Sequence, residues 1–165
     1  MTAPRTPSQR GKSNRRKGHD AERDLARWLR TVGFGGAERA VRTGFRTADR
    51  TSADPGDITG TGPIVWSVKD CAAEQVAKWF AELDAMGDGD TEVYLLVHKR
   101  RGHASPSRWW CWMRVRDVLS LAYYGTSGEY VGPSPDAPVR MELGHVIPLL
   151  RGAGHGDALD DVVAS

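Results

Sequence analysis

Apolar positions near the start of the chain recur at the spacing of an amphipathic helix. The stripe is formed by Ala21, Leu25, Trp28, Leu29 and Val32. His19 or Asp20 can cap this helix at its start, and Gly33 provides a C-terminal stop. Residues 1–17 carry almost no apolar side chain, so we expect this segment to stay disordered until it binds a partner.

A second apolar stripe predicts a helix over about residues 72–86, which Gly87 ends. This stripe is formed by Ala72, Val76, Trp79, Phe80, Leu83 and Met86. Shorter runs predict strands at residues 39–43, 57–59, 64–69, 93–98, 108–115 and 139–143, and a short helix at residues 117–123. This order of elements favours an α/β fold with a mixed β-sheet flanked by helices.

The predicted strand at residues 108–115 has two different faces, because successive side chains of a strand alternate. One face carries Trp109, Cys111, Met113 and Val115, which we interpret as core. The other face carries Trp110, Trp112, Arg114 and Arg116. Aromatic and basic side chains together suit contact with a DNA backbone and with exposed bases, whereas a tryptophan pair packed under the C-terminal segment is the alternative.

Composition narrows the class of protein without identifying it. The chain has 165 residues, of which 27% are charged and 39% hydrophobic, as in an ordinary single globular domain. Its apolar runs fall short of the roughly 18 to 20 residues that span a bilayer, and no apolar stretch follows the basic N-terminus as in a secretory signal. Cys71 and Cys111 lack the spacing of metal ligands. We therefore expect a cytoplasmic protein without membrane contacts.

Basic residues are concentrated in two stretches, although the formal net charge is only +2. The first contains Arg5, Arg10, Lys12, Arg15, Arg16 and Lys17, and the second contains Lys99, Arg100, Arg101, Arg108, Arg114 and Arg116. A basic arm of this kind binds nucleic-acid phosphates by releasing counterions, and a solvated tail is the alternative. We expect contacts with nucleic acid at Arg15, Arg16, Lys17, Arg42, Arg46, Lys99, Arg100 and Arg101.

An acid and a lysine flank a predicted hairpin turn at residues 60–63 (GTGP). Asp57 precedes the turn, and Lys69 ends the strand that follows it, so the two side chains can point to the same side of the hairpin. A carboxylate can hold a divalent cation against a scissile phosphate, and an ammonium group beside it can orient water or stabilise the transition state. Ordinary turn chemistry at Asp57 and an exposed ion pair between Lys69 and Asp70 are the alternatives.

Four short motifs occur in one order along the chain: residues 17–25 (KGHDAERDL), 42–44 (RTG), 56–58 (GDI) and 67–69 (SVK). This order resembles the PD-(D/E)XK nuclease superfamily, and within it the phage and archaeal Holliday-junction resolvases. The resemblance covers residues 10–125 and implies a restriction-endonuclease-like fold. It implies a basic arm at residues 1–17, a nuclease core at 18–125 and a partly disordered C-terminal extension at 126–165.

The resemblance also implies roles for individual residues. Glu22 and Asp57 would bind Mg²⁺, for which Mn²⁺ can substitute, Lys69 would assist catalysis and Gln75 would support the site. The chain departs from the pattern at Ser67, where a glutamate is usual, and a serine hydroxyl is a poor Mg²⁺ ligand.

Three alternatives follow from this departure. In the first, the backbone carbonyl of Val68 and waters complete the metal shell around Glu22 and Asp57. In the second, a carboxylate has moved to the following helix, at Glu74 or Glu82. In the third, the enzyme is weak or inactive.

The function implied by the resemblance is metal-dependent DNA endonuclease activity on Holliday junctions, in phage or bacterial recombination and repair. Branched or duplex DNA would be the substrate, and the enzyme would act as a homodimer in a bacterial or host cytoplasm. Two alternatives stay open, because a fold does not fix a function. One is a nuclease of the same fold that acts on another DNA structure, and the other is a non-catalytic, structure-selective DNA-binding module.

Overall fold

The computed structural model describes residues 7–40, 56–84, 93–122 and 134–158, and within residues 7–15 the backbone only. The helices are α1 Pro7–Thr31, α2 Val76–Asp84, α3 Val115–Ala122 and α4 Leu143–Gly152. The strands are β1 Glu38–Arg39, β2 Ile58–Thr59, β3 Ile64–Lys69, β4 Val93–His98, β5 Trp110–Arg114 and β6 Pro138–Glu142. A 3₁₀ turn at Pro106–Arg108 leads into β5.

The strands form a four-stranded mixed sheet and a separate two-stranded pair. The larger sheet has the order β3-β4-β5-β6, in which β3 and β4 are parallel and the other pairs are antiparallel. Ile64 lies opposite Val93 and Lys69 lies opposite His98, so β3 and β4 end side by side. In the smaller pair, Arg39 of β1 lies opposite Ile58 of β2. The predicted α/β class with a mixed sheet is confirmed.

Helices α1, α3 and α4 pack on one face of the sheet. Trp66 and Ile64 of β3 point into this core, which also contains Leu25, Leu29, Phe34, Trp109, Cys111, Met113, Leu143 and Leu150. The indole N–H of Trp66 donates to the hydroxyl of Thr61 over 2.9 Å, so its polar atom is satisfied within the core. The prediction that Trp109, Cys111 and Met113 face the core is confirmed.

Helix α2 covers the opposite face of the sheet. Val65 of β3 and Leu96 of β4 contact the apolar stripe of this helix, which consists of Trp79, Phe80 and Leu83 with half-buried Val76. Val65 and Lys69 are separated by an even number of residues, so they lie on the same face of β3. The side chain of Lys69 therefore starts on the α2 side of the sheet.

Several element boundaries differ from the sequence prediction. Helix α1 begins at Pro7, so residues 7–17, which we expected to be disordered, lie within a helix. Its end agrees with the prediction, because Gly33 adopts a φ of 95° and the Phe34 N–H reaches back to the Leu29 carbonyl over 3.1 Å. Helix α2 begins at Val76, which leaves residues 72–75 in the preceding loop.

The C-terminal part of the described chain belongs to the core. Strand β6 pairs with β5, and α4 buries Leu143, Val146, Ile147 and Leu150. Helix α4 was missed because Gly144 and Pro148 both lower helix propensity within this short stretch. No helix within the described residues combines the length and the apolar content that a membrane crossing needs.

Candidate active site

The carboxylate of Asp57 lies against the edge of β3. The backbone N–H of Asp57 donates to the carbonyl of Trp66 over 2.7 Å, and Oδ2 of Asp57 accepts the N–H of Val68 over 2.7 Å. Val68 stands between Ser67 and Lys69, so the fold brings two of the sequence motifs together. The Asp57 side chain is half-buried, and it meets β3 along the edge that does not pair with β4.

A close backbone approach positions Asp57. Gly56 forms a parallel bridge with Trp66 and has a φ of 77°. A Cβ atom at this position would lie 2.5 Å from the carbonyl oxygen of Trp66. Only glycine combines this φ with this proximity, and the requirement explains the glycine that precedes Asp57.

Lys69 forms an ion pair with helix α2. Its Nζ lies 2.7 Å from Oε2 of Glu82, and the two side chains are 23% and 44% exposed. The hydrogen bond from Lys69 lowers the pKa of Glu82, while partial burial opposes the shift. The structure therefore places Glu82, one of the two helix acids considered from the sequence, beside the candidate lysine.

Glu22 of α1 forms an ion pair with Arg39 of β1. Its Oε2 accepts a hydrogen bond from Nε of Arg39 over 2.7 Å, and its side chain is 16% exposed. The residue after Arg39 is Ala40, whose N–H donates to the backbone carbonyl of Asp57 over 2.9 Å. Glu22 of α1 is thus tied by an ion pair to the strand pair whose second strand begins directly after Asp57.

Ser67 and Gln75 differ in their exposure. Ser67 is 5% exposed and lies on the same face of β3 as Val65 and Lys69. Gln75 is exposed, and its carbonyl accepts the N–H of Trp79 at the start of α2. Its side chain is therefore not part of the buried surroundings of the site.

The acids do not form a ready metal-binding cluster. Among the described residues, no three His, Cys, Asp or Glu side chains are grouped so that they could hold a metal ion. Glu22 is engaged by Arg39 and Glu82 by Lys69, so a basic group neutralises each of these carboxylates. Asp57 contacts the SVK motif through the backbone N–H of Val68, whereas Glu82 contacts it through the Lys69 side chain.

Sequence reasoning missed His98, which ends β4 directly beside Lys69. Its Nε2 lies 2.9 Å from the carbonyl of Cys71, which can only accept, so Nε2 carries the proton. Nδ1 is buried without a hydrogen-bond partner in the described part of the chain, 3.5 Å from Oε1 of Glu74. The ring also packs 5.3 Å from that of Trp79. The signal was the parallel pairing of β3 and β4, because parallel strands end at the same edge of a sheet.

The predicted nucleic-acid contacts are spread over several surfaces. Arg16, Lys17 and Arg101 are exposed. Lys99 lies 3.6 Å from Asp24 and over the ring of Trp109, whereas Arg100 pairs with Glu142 over 3.1 Å. Arg42 and Arg46, and the side chain of Arg15, lie outside the described residues.

The side chain of Arg140, from the neighbouring strand β6, lies over the aromatic face of β5. The guanidinium carbon of Arg140 lies 4.5 Å from the centre of the Trp110 ring and 5.2 Å from that of Trp112. Arg114 is buried against the Phe80 ring and forms an ion pair with Asp84. These contacts support the alternative in which the tryptophan pair packs against the C-terminal segment.

In comparisons with known proteins, no family model, no curated protein and no solved structure matches the chain. The resemblance to PD-(D/E)XK nucleases therefore rests on the order of the motifs alone.

Proposed function

We propose that this chain is a metal-dependent DNA endonuclease that cuts four-way junctions. The observation that carries the proposal is the bond between the Asp57 carboxylate and the N–H of Val68. It joins a half-buried acid to the strand that ends in Lys69, and Lys69 in turn contacts Glu82. An acid and a lysine on adjoining backbone segments provide the two charges that phosphodiester hydrolysis needs.

The donor atoms suit Mg²⁺, which prefers oxygen ligands and is commonly held by one or two carboxylates together with substrate phosphates. Asp57 together with Glu82 or Glu22 would bind the Mg²⁺, so a preformed cluster of three acids is not required. When bound, Mg²⁺ lowers the pKa of a coordinated water and stabilises charge on the phosphate. Lys69 would release Glu82 and bind a phosphate oxygen instead.

The test is cleavage of a labelled four-way junction, with linear duplex as the control substrate, in Mg²⁺, Mn²⁺ or EDTA. Asp57→Asn keeps an oxygen that can accept the Val68 N–H but loses the charge, so we expect cleavage to fall at least about 100-fold in a folded protein. Asp136→Asn makes the same change at an exposed acid that pairs with Arg116, and it should cut normally. Equal cleavage by wild type and Asp57→Asn would contradict the proposal.

A second candidate function is DNA binding without catalysis. Ser67, buried at 5% exposure, stands where the resemblance expects a glutamate, and Glu22 and Glu82 are already paired with basic groups. The same experiment separates the two functions. Tight junction binding without cutting in either metal would favour the binding module.

A further inference from the structure

A shallow cleft on the outer side of α1 is lined mainly by arginines. It has a volume of about 300 Å³ and lies between α1 and β1. Its lining consists of Arg23, Ala26, Arg27, Arg30, Glu38 and Arg39. Four guanidinium groups and one carboxylate thus line the cleft, so an anion that entered it would meet mainly the hydrogen-bond donors of arginine.

Two of these arginines are held by hydrogen bonds within the fold, and the other two form exposed ion pairs that a ligand can replace. Nη1 of Arg30 donates to the carbonyl of Ala37 over 2.8 Å, and Arg39 is bound to Glu22. Arg23 pairs with Asp20 over 2.9 Å and Arg27 with Asp24 over 3.6 Å, both between largely exposed side chains. Exposed pairs of this kind contribute little free energy, so a phosphate can replace the carboxylate at low cost.

Helical geometry aligns the arginines along the surface. Arg16, Arg23 and Arg30 are seven residues apart, and Arg27 lies four residues after Arg23, so all four share one face of α1. At a rise of 1.5 Å per residue, the row is about 21 Å long, which corresponds to about six base-pair steps of DNA. The opposite face of α1 is buried through Leu25 and Leu29, so the row is mounted on a rigid support.

We propose that this arginine cleft binds the phosphodiester backbone of DNA next to the candidate active site. The inference rests on the proposed function for the identity of the ligand. Arg39 joins the two regions: it lines the cleft, and the next residue, Ala40, bonds to the backbone of Asp57. The cleft and the backbone of Asp57 are therefore linked through Arg39 and Ala40.

Arg27→Gln tests the cleft, because its side chain is 71% exposed and contributes little to the fold. Binding of a fluorescein-labelled junction is measured by fluorescence anisotropy in EDTA at several salt concentrations. We expect the Kd to rise about threefold to tenfold. The slope of log Kd against log salt concentration should fall by the amount that corresponds to about one phosphate contact. The double variant Arg23→Gln/Arg27→Gln should lose about two contacts.

Two further variants make the measurement specific. Lys78→Gln removes one positive charge from an exposed position on α2, on the other side of the sheet, and should leave both the Kd and the salt slope unchanged. Arg27→Lys keeps the charge but not the planar guanidinium, and its Kd should lie between those of wild type and Arg27→Gln. An unchanged Kd and salt slope in Arg27→Gln, or an equal change in Lys78→Gln, would overturn the inference.

Because EDTA removes the metal, this assay is independent of catalysis. Weakened binding by Arg27→Gln in a protein that never cuts DNA would uphold the cleft and reject the nuclease. Normal binding by Arg27→Gln in a protein that cuts junctions would uphold the nuclease and reject the cleft. A wild-type protein that binds no DNA at low salt would reject the cleft as well.

Discussion

At Gly56 the main chain passes so close to β3 that a side chain has no room. We predict that Gly56→Ala lowers the free energy of unfolding by about 2 to 4 kcal/mol, because it adds both a φ penalty and a clash with the Trp66 carbonyl. Urea denaturation followed by tryptophan fluorescence measures this loss. Cleavage should fall as well, since Asp57 would shift away from Val68.

Gly62 offers a matched control for this substitution. Its φ of 73° resembles that of Gly56, but a Cβ atom at Gly62 would meet nothing within 4 Å. Gly62→Ala should therefore cost only about 1 kcal/mol, the penalty of the backbone conformation itself. Equal losses in the two variants would show that the approach of Gly56 to β3 is not what positions Asp57.

The ion pair between Lys69 and Glu82 makes a pH-dependent contribution to stability. Because the pKa of Glu82 is lower in the folded protein, its contribution is full above the ordinary glutamate pKa and is lost as the pH falls through the folded value. Both side chains are partly exposed, so we expect less than about 1 kcal/mol. Urea denaturation of wild type and Glu82→Gln should thus differ at pH 7 and converge as the pH is lowered below the ordinary glutamate pKa.

Lys69→Gln is the companion variant for the pH experiment, because it removes the partner of Glu82 and leaves the carboxylate in place. If the pair stabilises the fold by charge, the difference between wild type and Lys69→Gln should shrink in the same way as the pH falls. A difference between wild type and Glu82→Gln that persists at low pH would mean that Glu82 stabilises the fold by packing and not by charge.

At the scale of elements, segments with a continuous apolar pattern were predictable from the sequence. A segment whose pattern is interrupted by glycine and proline was not. The predicted strands at residues 64–69 and 93–98 match β3 and β4, since continuous apolar runs identify buried strands. Helix α4 could not be predicted in this way, because Pro148 and Gly144 lower the helix propensity of its segment. Tertiary packing of its apolar stripe stabilises the helix. Tertiary burial outweighs local propensity in such a segment.

The candidate site divides in the same way. Asp57 and Lys69 could be singled out from the sequence because only residues 60–63 separate the two short segments that carry them. The hairpin predicted there is wrong, because β2 pairs with β1 and Gly56 meets Trp66 in a parallel bridge. Glu82 and His98 depend on contacts that sequence spacing does not reveal: the packing of α2 on β3 and the register of β3 with β4. For that reason the sequence left Glu74 and Glu82 as equivalent candidates, and the structure distinguishes them.

Helix α4 should behave as a structural part of the domain. Leu150 is fully buried, and we predict that Leu150→Ala lowers the free energy of unfolding by about 2 to 5 kcal/mol. The neighbouring Leu149 is only partly buried, so Leu149→Ala should cost clearly less. Urea denaturation of both variants checks this, and a small loss for Leu150→Ala would place α4 outside the cooperative core.

At the scale of the whole molecule, the two sides of the sheet are not equivalent. The α1 side carries the arginine cleft and Glu22, whereas the α2 side carries Lys69, Glu82 and His98. Asp57 lies at the strand edge between them. On the proposed function, a DNA strand bound along α1 would lie on the side of the sheet opposite Lys69, with Asp57 at the edge between them.

One chain brings a single Asp57 to a single SVK motif, yet resolving a four-way junction requires two cuts in opposite strands. We therefore predict that two chains act on each junction, as the resemblance also implies. Sedimentation of the complex in EDTA should give a ratio of two chains per junction.

Nuclease made by co-folding wild type with excess Asp57→Asn should release mostly singly nicked junctions, because one half of each pair is inactive. If one chain binds each junction, or if the mixture still makes paired cuts at the wild-type ratio, the two sites do not act together, and the activity would be that of a nuclease for a simpler DNA structure.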